Sequence, residues 1–433
     1  MIEQLFELAK KKRISELEVL TSQSTNFSIQ AYKGKIESYK KTNTAGLGVR
    51  GTYQNGTGYA YTERLRPREF ETLLDMVKDN ASLMKEREPL FDEKQEGSWH
   101  DSQPNLPEEE KIKLALALED EARAAKEVSD VSYAMISSGE GTRQIANTYG
   151  LNKTYHSNYN MAYLSVIVKR GDEVETDSAY YLGDLSKLDR TKLIDEAVNK
   201  ARRKLGGKPM AVGRYPVVLD RRVVCSLLGV YSDVFSARNI LQGTSRLEGQ
   251  LGEKLFGSLT LLDDPHSGHE RILFDDEGMD TAKRYLVRDG VVESYLHSQQ
   301  TAAEMRQEPT GHGIRSYKGT VQIAPHRLQI PNGGIDLASL FKEMYNGVYI
   351  TDVQGLHSGT NIVSGDFSLA AQGFRIENGQ MTAPIKEITI AHNFFDLFAQ
   401  IVKKANDFDF SMPSGHSQYG APSILFSDIA VSS

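Results

Sequence analysis

One cysteine and one tryptophan are all that 433 residues hold of either type. A single thiol excludes an internal disulfide framework and any zinc site built from several cysteines. A reducing, cytoplasmic setting is the expectation. Long apolar runs are missing too, since nothing approaches the ~18 residues a membrane span needs. The start, MIEQLFELAKKKRISELEV, carries Glu3 and Glu7 and has no apolar h-region. It reads as an amphipathic helix rather than a signal peptide, and no membrane partner is expected. There is also no excess of positive charge: the formal net charge is −7, with no basic tail. Non-specific nucleic-acid binding is driven by lysine and arginine neutralising phosphates, so no direct nucleic-acid partner is expected. A local patch, Arg202-Arg203-Lys204 with Lys208, reads as a solvated helix end.

What is present is ordinary for a globular protein, at 39% hydrophobic and 25% charged residues. The length calls for two or three domains. Apolar positions at Ile2, Leu5, Phe6 and Leu8 have a helical rhythm. Short alternating runs follow at Leu17–Leu20, Phe27–Tyr32, Ile36–Tyr39 and Gly46–Tyr53. Asn55-Gly56 between two such runs is a hairpin signal. A helix opened by Pro67 comes next. Residues 91–107 are polar, poor in pattern, and read as a linker. A helix with Glu108, Glu109 and Glu110 in its first turn then begins a second round of helix, strands and helix. Beyond it, 222–238 and 245–255 read as helical, and β patterning dominates from Gly257 onward. The fold expected is α+β: two N-terminal helix/antiparallel-strand units (1–97 and 98–208), then a β-rich C-terminal domain with short helices (209–433).

Several motifs resemble chemistry and are answered by their context. Gly46-Leu47-Gly48-Val49-Arg50-Gly51 matches GxGxxG, but a hairpin follows where a dinucleotide fingerprint needs a helix. His266 and His269 stand three apart, yet Pro265 and Gly268 make the stretch a loop rather than a helical metal site. Cys225 lies in the apolar VVCSLLGVY, with no cation or histidine beside it to lower its pKa. Ser358 and Ser364 sit in no GxSxG elbow, and His357 beside Ser358 would point to the opposite face of a strand. Phe274-Asp275-Asp276-Glu277-Gly278 packs three like charges. Such a cluster needs hydration, a cation or amide donors, so it reads as a solvated turn or a functional acidic turn.

Four stretches together carry a resemblance: DDPHSGHERILFDDEG (263–278), RDGVVESYLHSQQTA (288–302), GLHSGTNIVSGDFSLAAQGFRIENGQMTAPIKEITIAHNFFDLF (355–398) and the early GKIESYKKTNTAGLGVRGTYQNGTGYAYT. They resemble the TldD/PmbA family, whose members are often labelled modulators of DNA gyrase and are linked to a two-subunit metalloprotease. The likeness covers nearly the whole chain in collinear order. In the TldD-type subunit, the first helix of the C-terminal domain carries HExxxH. Its two histidines bind zinc, its glutamate acts as base, and a cysteine in a late loop is a further ligand. The corresponding helix here offers Cys225-Ser226-Leu227-Leu228-Gly229-Val230, and the late loop reads Pro413–Gly420 without cysteine. The resemblance is therefore to the TldE/PmbA branch, which lacks the metal motif.

That resemblance implies a cytoplasmic subunit of a TldD/TldE-type metalloprotease acting on unfolded or leader-like peptides. This chain would be non-catalytic and would complete the peptide cleft. It would bind no cofactor by itself, and zinc is expected in the TldD-type partner. Partners would be a TldD-type catalytic subunit or a second copy, together with an extended peptide. Asp275, Asp276, Glu277, Gly278, His357, Ser358, Gly359, Asn361 and Gly365 are the cleft candidates. Two alternatives stand beside this reading. One is a stand-alone metallopeptidase using His266, His269, His357 or His416, and the other is a non-enzymatic peptide-binding adaptor.

Overall fold

The computed structural model describes residues 1–433 except Lys85 and His269. The chain forms two compact units. The first comprises residues 1–205 together with 276–279 and 315–321, and the second holds the remainder.

The first unit runs α1 (Ile2–Lys11), β1 (Glu16–Tyr32), β2 (Lys35–Tyr53), β3 (Gly56–Thr62), α2 (Pro67–Leu83), β4 (Glu96–Asp101), α3 (Glu108–Ala124), β5 (Val128–Asn147), β6 (Asn152–Arg170), β7 (Glu173–Leu182) and α4 (Arg190–Lys204). Its strands make one sheet in the order β3-β2-β1-β5-β6. Two strands share the outer edge of β6: β4 runs parallel to its first part and β7 antiparallel to its second. Segments 1–97 and 98–208 thus contribute to the same sheet, joined through the antiparallel β1–β5 pair.

Odd-numbered residues of β1 face the helices. Leu17 and Val19 pack with Leu5 and Ala9 of α1 and Phe70, Leu73 and Val77 of α2. Phe27, Ile29 and Ala31 pack with Ala115 and Leu118 of α3 and Ala197 and Ala201 of α4. Between these two apolar patches lies Ser22–Asn26, which is polar on both faces. The expected separate runs are therefore single strands of 17 and 19 residues in β1 and β2. Main-chain pairing carries through the polar middle, as at Ser24 opposite Thr44. The stretch expected as a linker contains β4, whose alternating exposed and half-buried residues show no apolar run.

Two glycine signals have reasons other than a turn or a nucleotide. The β2–β3 turn is Gln54-Asn55, with Gln54 at positive φ. Gly56 opens β3, where a Cβ would lie 2.0 Å from Ala81 O of α2. At Gly48 a Cβ would lie 2.2 Å from Tyr317 O and at Gly46 it would meet the Tyr317 ring, so these two glycines let the 315–321 segment lie against β2.

The second unit runs β8 (Gly213–Leu219), α5 (Arg221–Tyr231), α6 (Ala237–Leu241), β9 (Leu261–Asp263), β10 (Arg284–Arg288), β11 (Val291–Val292), α7 (Gln299–Met305), β12 (Gly313–Ile314), β13 (Gln322–Ile323), β14 (Arg327–Gln329), α8 (Leu337–Met344), β15 (Gly347–Gln354), β16 (Asp366–Glu377), β17 (Gln380–Asn393), α9 (Phe394–Ala399), β18 (Ile401–Lys404), β19 (Asp409–Phe410), β20 (Gln418–Ala421) and β21 (Ile424–Ser432). One sheet has the order β17-β16-β15-β8-β21-β18, and an added β17–β21 pairing closes five of its strands into a ring. A second sheet has the order β11-β10-β9-β14-β20-β19. The α+β class with a β-rich C-terminal half is as expected.

Residues 245–255, expected to be helical, form successive turns instead. Gly249 and Gly252 sit at positive φ there, a conformation that cannot propagate a right-handed helix. The helix expected over 222–238 likewise ends at Tyr231, followed by a 3₁₀ turn over Ser232–Phe235.

Candidate functional site

Helix α5 follows β8 directly, and Asp220 caps it by accepting the Arg222 N–H at 2.9 Å. Asp220 is itself held by the Tyr349 hydroxyl of β15. Val223, Val224, Leu227 and Leu228 are buried in the core of the unit. The remaining side, Cys225, Ser226, Gly229 and Val230, lines a cavity of about 710 Å3. Two further segments of the same unit close it. Leu356, His357, Thr360, Asn361 and Ile362 come from the turn after β15, and Ser411, Ser414 and Tyr419 come from the late loop and β20.

The turn after β15 is a dense backbone knot. Gly355 O accepts from the N–H groups of Ser358 at 3.1 Å and Gly359 at 2.7 Å. The Ser368 N–H returns to Gly359 O at 2.7 Å, and a Cβ on Gly359 would lie 2.2 Å from Ser368 O. Asn361 Oδ1 accepts from Val363 N at 3.0 Å and Ser364 N at 3.1 Å. Asp366 accepts from Ser364 Oγ at 2.8 Å and Asn393 Nδ2 at 2.9 Å. These bonds hold the Asp366 carboxyl below its ordinary range, led by the one from Asn393. The serines and acids of this stretch thus satisfy one another and the main chain.

Two cleft candidates, His357 and Asn361, do line the cavity, while Ser358, Gly359 and Gly365 shape the turn behind it. The acidic run lies elsewhere and is not solvated. Asp275, Asp276 and Glu277 are 3%, 1% and 0% exposed. Asp275 accepts the Gly313 N–H at 2.9 Å. In the first unit, Asp276 accepts the Arg315 N–H at 2.7 Å and pairs with Arg143. Glu277 pairs with Arg50 at 3.0 Å, and Gly278 O accepts from Lys153 Nζ at 2.9 Å. Amide and guanidinium donors therefore balance the three charges.

Sequence reading missed Tyr419, whose ring lies against Gly229 and whose hydroxyl sits 3.3 Å from Ser232 Oγ. It also missed Leu356, Thr360 and Ile362. Uncharged residues give no motif, and only proximity in the fold selects them.

Zinc is the metal that a helix carrying HExxxH would hold in this place, and the donors here do not fit it. Cys225 is 3% exposed. Burial, with the charges of Asp220 and Asp409, pushes its thiol up to about 12, so without a metal it is a protonated, unreactive group. Ser226 Oγ is turned back onto Arg222 O at 2.9 Å, and Val230 is aliphatic. No group of three or more histidine, cysteine, aspartate or glutamate residues suited to a metal occurs among the described residues. His266, His357 and His416 are all exposed. His269 lies outside the described residues.

An α+β chain whose C-terminal strand ring holds a largely neutral cavity against a short capped helix is the class these features define. Residues 17–83, 101–205 and 212–433 match domain 1, the central domain and the C-terminal domain of the PmbA/TldA metallopeptidases. The chain belongs to that PmbA/TldD family. It is 26% identical over 407 residues to the metalloprotease PmbA of Escherichia coli O157:H7, spanning 90% of this chain and 88% of that one. A PmbA homologue of Haemophilus influenzae is also 26% identical, over 93% of this chain and 90% of its own length. Among solved structures, a candidate modulator of a DNA gyrase from Thermotoga maritima superposes with a TM-score of 0.90 at 28% identity, covering 100% of this chain and 99% of that one. TldE from Thermococcus kodakarensis shares the fold, with a TM-score of 0.86 at 21% identity over 99% and 100% of the two chains.

Proposed function

We propose that this chain is a TldE/PmbA-type subunit. It pairs with a TldD-type metallopeptidase and completes a cleft for an extended peptide, without cleaving the peptide itself. The observation that carries this reading is the cavity face of α5. At the positions where HExxxH would set two ligands and a base, the helix presents Cys225, Ser226 and Val230. Zinc-dependent hydrolysis needs about three protein ligands and an open position for water. A buried neutral thiol, a self-bonded hydroxyl and an isopropyl group supply neither ligand nor base.

The cavity suits recognition of main chain and uncharged side chains. Its walls are serine, threonine, asparagine, glycine and aliphatic groups with the Tyr419 phenol, and His357 and Cys225 beside them. Binding through backbone suits a partner of unfolded or leader-like peptides, since strand-like recognition reads main chain before side chains. A cytoplasmic location accords with the lone, reduced cysteine.

The test is metal analysis of tag-free protein, followed by digestion of an unstructured peptide with and without a TldD-type partner. The expected result is no stoichiometric zinc in this chain. Cleavage should occur only with the partner present and should be lost when the partner's HExxxH is mutated. About one zinc per chain with chelator-sensitive cleavage by this protein alone would overturn the proposal.

A further inference from the structure

The helix side of the N-terminal sheet carries a second cavity. Residues of odd number in β1 face the helices, and the one-to-one registers of this stretch carry that face across the sheet. Helices α1 and α2 cover one end of the long strands there, and α3 and α4 cover the other. Between these helix pairs, two rows of side chains cross β2, β1, β5 and β6. One row is Ala45, Gln23, Thr142 and His156, and the next is Asn43, Thr25, Glu140 and Asn158. A trough of about 500 Å3 lies between the rows, over Ser24 and Gly141. Rows two residues apart on a strand stand about 6.7 Å from each other, and four strands span about 14 Å. An extended chain laid across the strands follows these rows, and about four of its residues match their length.

The lining narrows the ligand. Among the described residues that form it there is neither lysine nor arginine, so a phosphate would meet no cation. Nor is there phenylalanine, tyrosine or tryptophan, so a nucleobase would meet no stacking ring. What remains both donates and accepts hydrogen bonds. Asn43 and Gln23 carry amides and Thr25 a hydroxyl, and none of these side chains has a hydrogen-bond partner among the described residues. The pairing that such an amide makes is visible at the β6 end. Asn158 Oδ1 accepts from the Gln103 N–H at 2.6 Å, and Asn158 Nδ2 donates to the Gln103 carbonyl at 2.8 Å. One side-chain amide thus holds both main-chain groups of one residue, as a neighbouring strand would. His156 is fixed at the same end by Thr142 Oγ1, 2.7 Å from its Nδ1, and by stacking on His100 with ring centroids 4.3 Å apart. The other end is open: among the described residues no strand pairs outside Asn43–Ala45, because β3 begins its pairing at Leu47.

We propose that this trough binds an extended peptide through the peptide's main chain. Gln23 on one wall and Asn43 and Thr25 on the other supply the donors and acceptors, and the peptide runs from the β2 edge toward His156. The inference does not rest on the subunit role proposed above, since the trough and the cavity beside α5 belong to different units.

The test is fluorescence anisotropy of the full chain with a labelled, uncharged glycine/serine peptide. Saturable binding is expected. Gln23→Ala and Asn43→Ala each remove one amide and should weaken binding about two- to tenfold, the worth of one hydrogen bond. Ala45→Phe sets a ring in the trough and should abolish it. Gln23 and Asn43 are exposed, so both alanine variants should melt with the wild type. The same peptide methylated on its main-chain nitrogens should not bind, because its side chains are unchanged and its main-chain donors are gone. A benzophenone-bearing peptide should crosslink to β1 and β2 within the trough. Crosslinks confined to the cavity beside α5, full affinity of the methylated peptide, affinity indifferent to all three substitutions, or no saturable binding at millimolar peptide would each overturn the proposal. So would a neutral oligosaccharide such as maltotetraose that binds the trough in the peptide's place.

Discussion

Arg50 Nη2 lies 3.1 Å from Glu18 Oε2, and neither side chain reaches solvent. The pair is the centre of a buried network. Arg315 Nη2 reaches the other Glu18 oxygen at 2.6 Å, and Arg50 Nη1 reaches Glu277 at 3.0 Å. The network fastens two segments distant in sequence, 276–279 and 315–321, to the N-terminal sheet of the first unit. Removing one member of a buried pair leaves a charge without compensation, which typically costs about 3–5 kcal/mol. Arg50→Met should therefore lower unfolding free energy by that order in denaturant titration. Glu18→Gln should also destabilise, because the amide keeps one acceptor oxygen and turns its NH2 donor toward the other arginine. Equal and negligible effects from the two substitutions would show that the network contributes nothing to stability.

Acid should destabilise the second unit through two buried histidines, His326 and His297. His312 Nε2 lies 3.1 Å from the buried Asp263, and His326 stacks on it with ring centroids 4.9 Å apart. His326 is pushed down to about 4 by burial and then by His312, and His297 to about 4 by burial and then by Arg284. Burial alone would raise the Asp263 carboxyl, but His312, His326 and the Arg327 N–H together outweigh it and hold the group below its ordinary value. Unfolded histidine titrates near 6.5, so between about pH 6.5 and 4 the unfolded chain binds more protons than the folded one. Stability therefore rises with pH across that window and is lost on acidification. Unfolding free energy measured at pH 7 and 4.5 should fall, and His326→Gln should flatten the slope. A chain more stable at pH 4.5 than at pH 7 would contradict this sign.

How much of this could be read beforehand depended on whether the signal was local. The first helix, the Pro67 helix and the acid-led helix at Glu108 carry their own periodicity and termini. The Asn55-Gly56 signal marked the right hairpin for the wrong reason: the turn is Gln54-Asn55, and Gly56 is required by α2 passing over it. The length of β1 and β2 was hidden because Ser22–Asn26 is polar on both faces, and alternation is visible only where one face is buried. The site divided in the same way. His357 and Asn361 were picked out of their stretches by side-chain type, whereas Ile362 beside Asn361 and Tyr419 in the late loop are uncharged and carry no motif of their own. The acidic run looked functional because sequence shows charges and not their partners. Arg50, Arg143 and Arg315 stand far from it along the chain.

Gly365 tests whether the turn behind the cavity is a fixed scaffold. Its φ is +86°, a region that residues with a Cβ rarely adopt. A Cβ there would lie 2.6 Å from Phe395 Cδ2 and 3.0 Å from Asn393 Oδ1. Phe395 belongs to the apolar core, and Asn393 caps α9 by accepting from Phe395 N at 3.0 Å and Asp396 N at 3.4 Å. Neither can retreat freely. The glycine main chain is also engaged on both sides: its N–H donates to Asn361 O at 2.8 Å, and its carbonyl accepts from Phe394 N at 2.7 Å. Conformation alone should cost about 1 kcal/mol for Gly365→Ala, and the contacts add to it. Gly365→Val brings a β-branched side chain to the same place and should cost more. Thermal melting should fall in the order wild type, Ala, Val. Because Asn361 both lines the cavity and is bonded to Gly365, the Val variant should also weaken binding of an unstructured peptide or a TldD-type partner. Equal melting of all three proteins would show that Phe395 and Asn393 yield at little cost and that the turn is no rigid wall.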